Sequence, residues 1–356
     1  MNLGGAETLI MNLYRNIDRS RVQFDFLLHS PEESAYEKEI LALGGRIFRI
    51  PRYLGYNKKT YEKNLTDFLR AHSEFTIVHD HLMDSAAETL KVVKKLGRIA
   101  VAHSHTSSAF SLTDLYRFFF RKNLWKIADY RFACSEEAGR WLYRNKADFV
   151  VLKNGINTEK FRFSENFRTS KRHEFGIAES TKLYGTVGRL DKNKNQIRLL
   201  GIIKLILTLQ PDSKLMIVGN GPFEKKITDT ARKLNMEDRI ILTGPRTDVN
   251  ELLCAMDSFV FTSFSEGLGI ALVEAQASGL PCIFTETIPN EVDLIPELIH
   301  RVSLSEPDET WATIAISCTP QKNRAEAFKV VAEKGYDIKT SAEQLQCFYL
   351  GLMGKK

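Results

Sequence analysis

The chain has 356 residues, 43% of them hydrophobic and 26% charged, with a formal net charge of +6; this length exceeds one ordinary core and points to two globular domains. The modest positive charge suits an anionic ligand or an anionic membrane face without demanding either, and no nucleic-acid-binding module is present. The five cysteines are dispersed with no C-x-x-C pair, which argues for reduced thiols rather than a disulfide framework, and no leader or roughly 20-residue apolar run appears, so a cytoplasmic protein is expected.

Asn2-Leu3-Gly4-Gly5-Ala6-Glu7-Thr8 is a glycine-rich turn that opens a helix ending near Asn16. Read alone, Gly4 and Gly5 also fit a flexible terminus. Val22 to His29 and Gly45 to Ile50 have strand composition, followed by the short strand Thr76 to His81, a helix from Ser85 to Leu96 and a strand from Arg98 to Ala102. That last strand runs into His103-Ser104-His105-Thr106. Two histidines at i, i+2 invite a metal reading, and His79 and His81 repeat the pair on the preceding strand. No third ligand stands at a convincing spacing, so no metal is expected. Tyr116 to Lys126 is basic and aromatic at helical spacing; it fits either an interfacial helix on an anionic bilayer or an ordinary helix with core aromatics. Asp129 to Ser135, the helix Glu136 to Asn145 and the strand Phe149 to Leu152 complete the first half. Strands alternating with helices predict a doubly wound, mainly parallel α/β sheet, which binds ligands at the carboxyl ends of its strands.

Asn154 to Asn157 and the polar stretch Lys160 to Lys171 read as a linker, after which the pattern restarts. Strands are expected at Leu183–Val187, Lys214–Val218, Arg239–Leu242, Ser258–Phe261 and Pro281–Phe284, giving a second Rossmann-like domain. Gly188-Arg189-Leu190-Asp191-Lys192-Asn193-Lys194 follows the first of these strands. Arg189 offers a planar fork and Lys194 a compact charge to phosphate oxygens. Val218-Gly219-Asn220-Gly221 is either a place for backbone to approach a nucleotide or a plain tight turn. Glu266-Gly267-Leu268-Gly269-Ile270-Ala271-Leu272-Val273-Glu274 sits at a strand-to-helix turn, where unpaired helix N–H groups attract anions. By spacing alone, Glu266 and Glu274 are either hydroxyl acceptors beside a phosphate site or a helix-terminal charge and a surface residue.

The E-G-L-G-I-A-L-V-E stretch resembles the E-x7-E motif of family 4 retaining glycosyltransferases, and Gly188 to Lys194 resembles that family's G-R-L-x-x-x-K segment. The resemblance extends over nearly the whole chain. It implies the GT-B fold, two Rossmann-like domains facing across a cleft: 1–160 on the acceptor side, 161–339 on the nucleotide-sugar side, and a helix at about 340–356 crossing back. It also implies a strand before the Gly4-Gly5 turn, whereas this sequence opens at the turn: either the start is late or truncated, or the strand is dispensable, with a damaged acceptor domain as a further reading. The implied activity is transfer of a hexose from a UDP- or GDP-sugar to a hydroxyl of a glycan, lipid-linked in surface polysaccharide synthesis, at the inner face of the plasma membrane. Arg189 and Lys194 would hold the diphosphate and replace a metal cofactor, Glu274 the ribose, and Glu266 the sugar. Gly4, Gly5, Gly188, Gly219, Gly244 and the backbone of Gly267, Leu268, Gly269 and Ile270 would line the donor. His105 would meet the transferred sugar, with His103 setting its geometry. A sugar-nucleotide epimerase of the same fold and a non-catalytic nucleotide-sugar-binding protein are the competing readings.

Overall fold

The computed structural model describes residues 5–82, 84–105, 123–144, 146–320 and 323–354. The chain divides into two compact units. One runs up to Gly155 and resumes at Ile338; the other is Ile156–Asp337. The break falls at Gly155, inside the expected linker, but residues 160–171 are not a linker. They hold a single 3-10 turn, Thr158–Phe161, and the start of the helix Glu165–Glu174, capped by Ser164. Its cations are used internally. Arg172 is 1% exposed and donates to the Ala255, Ala178 and Thr181 carbonyls and to Asp257, while Arg168 bonds the other Asp257 oxygen at 2.9 Å. Lys171 pairs with Asp248, Glu174 and Glu251. The polar composition of this stretch therefore serves burial, which composition alone does not reveal.

Among its described residues the second unit carries six parallel strands: β7 (Lys182–Val187), β8 (Ser213–Val218), β9 (Ile240–Gly244), β10 (Ser258–Phe261), β11 (Cys282–Thr285) and β12 (Ile299–Val302). Their spatial order is β12-β11-β10-β7-β8-β9. Side chains alternate between two apolar cores with the period of two that a sheet buried on both faces requires. Leu183, Met216, Phe259, Phe261, Cys282 and Phe284 enter one, and Tyr184, Leu215, Ile217, Val260 and Ile283 the other. The edge strand β12 was not expected, because Ile299-His300-Arg301-Val302 mixes charge with apolar residues. Such charges suit an edge: Arg301 leaves the strand to bind Asp293 and the Ile288 carbonyl.

In the first unit the strands fall into two parallel sheets. β1 (Phe26–Leu28) pairs with β2 (Ile47–Arg49); β3 (Ile77–Asp80), β4 (Ile99–Ser104), β5 (Tyr130–Ala133) and β6 (Val150–Val151) form the other. No strand precedes Phe26 among the described residues. β1 is shorter than the expected Val22–His29, since Asp25 turns its carboxylate to the Arg46 backbone N–H and guanidinium. The helix Gly5–Asn16 and the C-terminal helix Ile338–Met353 share one apolar cluster with this sheet: Leu9, Leu13, Val101, Phe132, Leu152, Ala342, Leu345 and Tyr349. Gly4 lies outside the described residues, as does 116–122 of the basic aromatic segment. Its described remainder includes the short helix Leu124–Ile127, whose Leu124 is buried. No helix among the described residues is long and apolar enough to cross a membrane.

Candidate active site

The strand order of the second unit reverses between β7 and β10, which are neighbours in register, Ser258 opposite Tyr184. Such a switch point opens a crevice at the carboxyl ends of the two strands. The loops leaving those ends are the two singled out in sequence: Gly188 to Asn195 after β7, and Thr262 to Gly269 after β10. Register therefore sets the two loops side by side, and Lys194 of the first meets Glu266 of the second.

The two loops are stitched together by small polar groups that the sequence reading passed over. Asn193 is the centre of the seam. Its carbonyl accepts from the Phe264 N–H at 2.8 Å and from Ser263 Oγ at 3.1 Å, and its side-chain amide donates to the Ser265 carbonyl at 2.7 Å. Thr262 Oγ1 donates to the Asn195 carbonyl. The available signal was Thr262-Ser263 at the strand end, where hydroxyls bond local backbone.

Lys194 Nζ lies 2.5 Å from Glu266 Oε1, and Ser263 Oγ donates to the same oxygen at 2.5 Å. The Lys194 ammonium also stands 5.0 Å above the Phe261 ring. Arg189 differs. Its side chain is 70% exposed and only loosely paired, with Nε 3.6 Å from Asp191. A bidentate fork is thus presented to solvent.

Gly269 caps the helix Ile270–Ala277 with φ 86°, the left-handed region that costs glycine nothing. The first N–H groups of that helix lack in-helix acceptors. Glu274 lies on it, partly buried, and its carboxylate makes no hydrogen bond or ion pair among the described residues. Burial pushes its pKa up to about 7, against the opposing pull of Lys160. An unpaired carboxylate in that state is an acceptor awaiting donors. Gly219 has a local explanation: a Cβ there would stand 2.1 Å from the Gly188 carbonyl oxygen. Leu190 N–H donates to the Asn220 carbonyl beside it, so backbone packing between two loops already requires this turn. Gly244, at φ 68°, is open on its Cβ side, and its carbonyl accepts from Gly219 N–H. Nearby Arg246 and Asp248 satisfy each other, which holds the Asp248 carboxyl well below the usual range.

His105 belongs to the first unit, one residue past β4. Its Nε2 lies 2.8 Å from His81 Nδ1. His103 stacks on its ring, centroids 4.3 Å apart, without a hydrogen bond to it. The hydrogen-bond partner of His105 is His81, because β3 and β4 pair Asp80 with Ala102 and that register brings His81 alongside it, while His103 meets the ring by stacking. Burial depresses all four imidazoles, His79 to about 3, His105 to about 4, and His81 and His103 well below the ordinary value. His105 is therefore neutral at physiological pH.

The family model for glycosyl transferases group 1 matches residues 167–316, and that for Glycosyltransferase Family 4 matches residues 3–160. EpsF of Bacillus subtilis (strain 168), which carries the name of a presumptive glycosyltransferase, is 35% identical over 98% of this chain and 94% of its own. This chain belongs to glycosyltransferase family 4. The glycosyltransferase is also 34% identical, over 40% of its length and 38% of the relative's, to an Escherichia coli protein named UDP-Gal:alpha-D-GlcNAc-diphosphoundecaprenol alpha-1,3-galactosyltransferase. Among solved structures, HepE of Anabaena in complex with UDP and glucose matches with TM-score 0.78 at 18% identity, over 98% of this chain and 96% of HepE. WaaG, a glycosyltransferase involved in lipopolysaccharide biosynthesis, matches with TM-score 0.70 at 16% identity, over 97% of this chain and 96% of WaaG. The glycosyltransferase has the GT-B fold.

Proposed function

We propose that this glycosyltransferase moves a hexose, with retention, from a nucleoside diphosphate sugar to a hydroxyl of a lipid-linked glycan in surface polysaccharide synthesis. The observation that carries the reading is the switch point of the second unit. There one loop carries an exposed guanidinium and a paired ammonium, and the other leads into a helix whose N-terminus and unpaired carboxylate follow it. Arg189 and Lys194 hold the diphosphate. As the glycosidic bond breaks, negative charge grows on the departing phosphate. Fixed cations and helix N–H groups stabilise it, a contribution of about 3–4 kcal/mol for a single well-placed donor. These groups do the work of a metal, so the transfer is metal-independent in this reading.

Glu274 accepts from ribose hydroxyls, which supply the donors its carboxylate lacks. Glu266, held by Lys194 and Ser263, positions the sugar, and neutral His105 hydrogen-bonds one of its hydroxyls. The leaving phosphate takes the acceptor's proton at the front face, which accounts for retention without a protein nucleophile. UDP in the HepE complex and UDP-Gal in the name of the E. coli relative favour a uridine donor. The diphosphoundecaprenol in that name favours a lipid-diphosphate acceptor, met at the cytoplasmic membrane face through the 116–126 segment.

The test is a donor screen on purified protein without metal, read by thermal shift and by slow release of nucleoside diphosphate. One donor is expected to stabilise the protein, an effect lost in Glu274→Ala and Arg189→Ala. Folded protein that responds to no nucleotide sugar or diphosphate overturns the reading.

A further inference from the structure

The four histidines of the first unit project from one face of β3 and β4 and from the residues just beyond them. Their rings form a continuous stack: His79–His81 4.4 Å, His79–His103 5.3 Å, His81–His103 5.1 Å and His103–His105 4.3 Å between centroids. One ring nitrogen from each of His79, His81 and His103 lies within 4.8 Å of the others. His103 is 5% exposed, and among the described residues neither of its nitrogens has a hydrogen-bond partner; His79 Nε2 is buried without one among them as well. A buried imidazole with nothing to bond is a costly arrangement that calls for a physical cause.

The remaining nitrogens are held as those of ligating imidazoles are. His79 Nδ1 stands 2.5 Å from Tyr349 Oη, and His81 Nδ1 stands 2.8 Å from His105 Nε2. Such outer contacts fix ring orientation and tautomer in metal sites. We propose that His79, His81 and His103 bind one late first-row divalent ion, with Tyr349 and His105 as its outer partners. Three imidazoles with no thiolate and no carboxylate select zinc, cobalt, nickel or copper over magnesium or calcium. Metal–nitrogen distances near 2.0–2.1 Å need nitrogens about 3.3 Å apart in a tetrahedron; rotation of the rings closes the remainder. The third ligand that linear spacing does not show comes from the neighbouring strand, by parallel pairing of His79 with Val101. The ion ties β3 to β4 and, through Tyr349, to the C-terminal helix. The ion supplies none of the charge used in the transfer, whose cations are Arg189 and Lys194; its one link to that chemistry is His105, the outer partner of His81.

Untagged protein, stripped with a chelator, is titrated with Co²⁺ and then Zn²⁺. About one equivalent of Co²⁺ is expected to give visible d–d bands that Zn²⁺ displaces. His81→Gln and His103→Gln abolish the bands, Tyr349→Phe weakens binding about tenfold, and the exposed His173→Gln leaves it unchanged. Folded parent protein with no saturable equivalent, or bands that survive His103→Gln, overturns the site. If the histidine variants do not fold, X-ray absorption of the zinc-loaded parent decides. Three imidazole scatterers support the proposal, and fewer sink it.

Discussion

Glu274 combines two properties that pull against each other. Its carboxylate accepts from hydroxyls most strongly when ionised, yet burial lifts its pKa from 4.5 to about 7. Between those values the folded chain binds more protons than the unfolded chain, so stability falls as pH rises from about 4.5 to 7. Above pH 7 the ligand-free protein carries a penalty of up to about 3 kcal/mol. Glu274→Gln removes the charge and keeps the shape. Urea unfolding is expected to show the variant close to the parent at pH 5 and about 1–3 kcal/mol more stable at pH 8, while donor binding is lost. Parallel stabilities at the two pH values contradict this. Arg189 makes the opposite case. Its side chain is 70% exposed, so Arg189→Ala stays within about 0.5 kcal/mol of the parent in stability. Its donor affinity is nonetheless expected to fall at least tenfold by calorimetry. Lys194→Met also strips Glu266 of its cation, and steady-state kinetics are expected to show kcat down by about 10²–10³-fold.

Between residue and fold stand elements held by a few buried polar groups. Asp257 ties three of them. It accepts from the Leu183 N–H at the second residue of β7, and from Arg168 and Arg172 on the first helix of its unit. Asp257→Ala leaves the buried Arg172 with only the exposed Glu179, 3.9 Å away, as a counter-ion, at an expected cost of about 3–5 kcal/mol, read as a fall in Tm. Gly219→Ala drives a methyl group into the Gly188 carbonyl. Both positions are backbone, so neither yields cheaply. A reduced Tm with a native donor-loop sequence is the expected outcome, and an unchanged Tm contradicts the packing described. Some of this was legible in sequence. Ser258–Phe261 was an unbroken apolar run, and the helix after Gly269 began where glycine ended the loop, so both match the structure closely. The positions of the two candidate loops after β7 and β10 were legible because glycines and polar residues follow directly on apolar strand runs. Hidden features were those set by pairing across strands. Asn193 bonds a loop some seventy positions away, Arg172 buries a charge that reads as solvated, and the histidine column needs the register of β3 against β4. β12 was hidden because an edge strand need not look apolar.

For the molecule as a whole, the second unit has two cores of its own, and the first is built from both ends of the chain. A fragment spanning 156–337 is therefore expected to fold alone and to retain nucleotide binding, checked by amide dispersion in NMR spectra and by calorimetry. Deleting residues from Ile338 onward removes Ala342, Leu345 and Tyr349 from the cluster around Leu9 and Phe132. Circular dichroism is expected to show the first unit's transition lost and the second's kept. The split chain also sets a timetable. A ribosome finishes the 156–337 segment while the apolar faces of the Gly5–Asn16 helix and β4 still lack their last cover. Synthesis at about 5–20 residues per second puts roughly ten to forty seconds between Gly155 and Ile338. Throughout that interval the earlier half of the protein depends on partial structure, or on a chaperone, to stay out of aggregates, and only the final helix ends the wait.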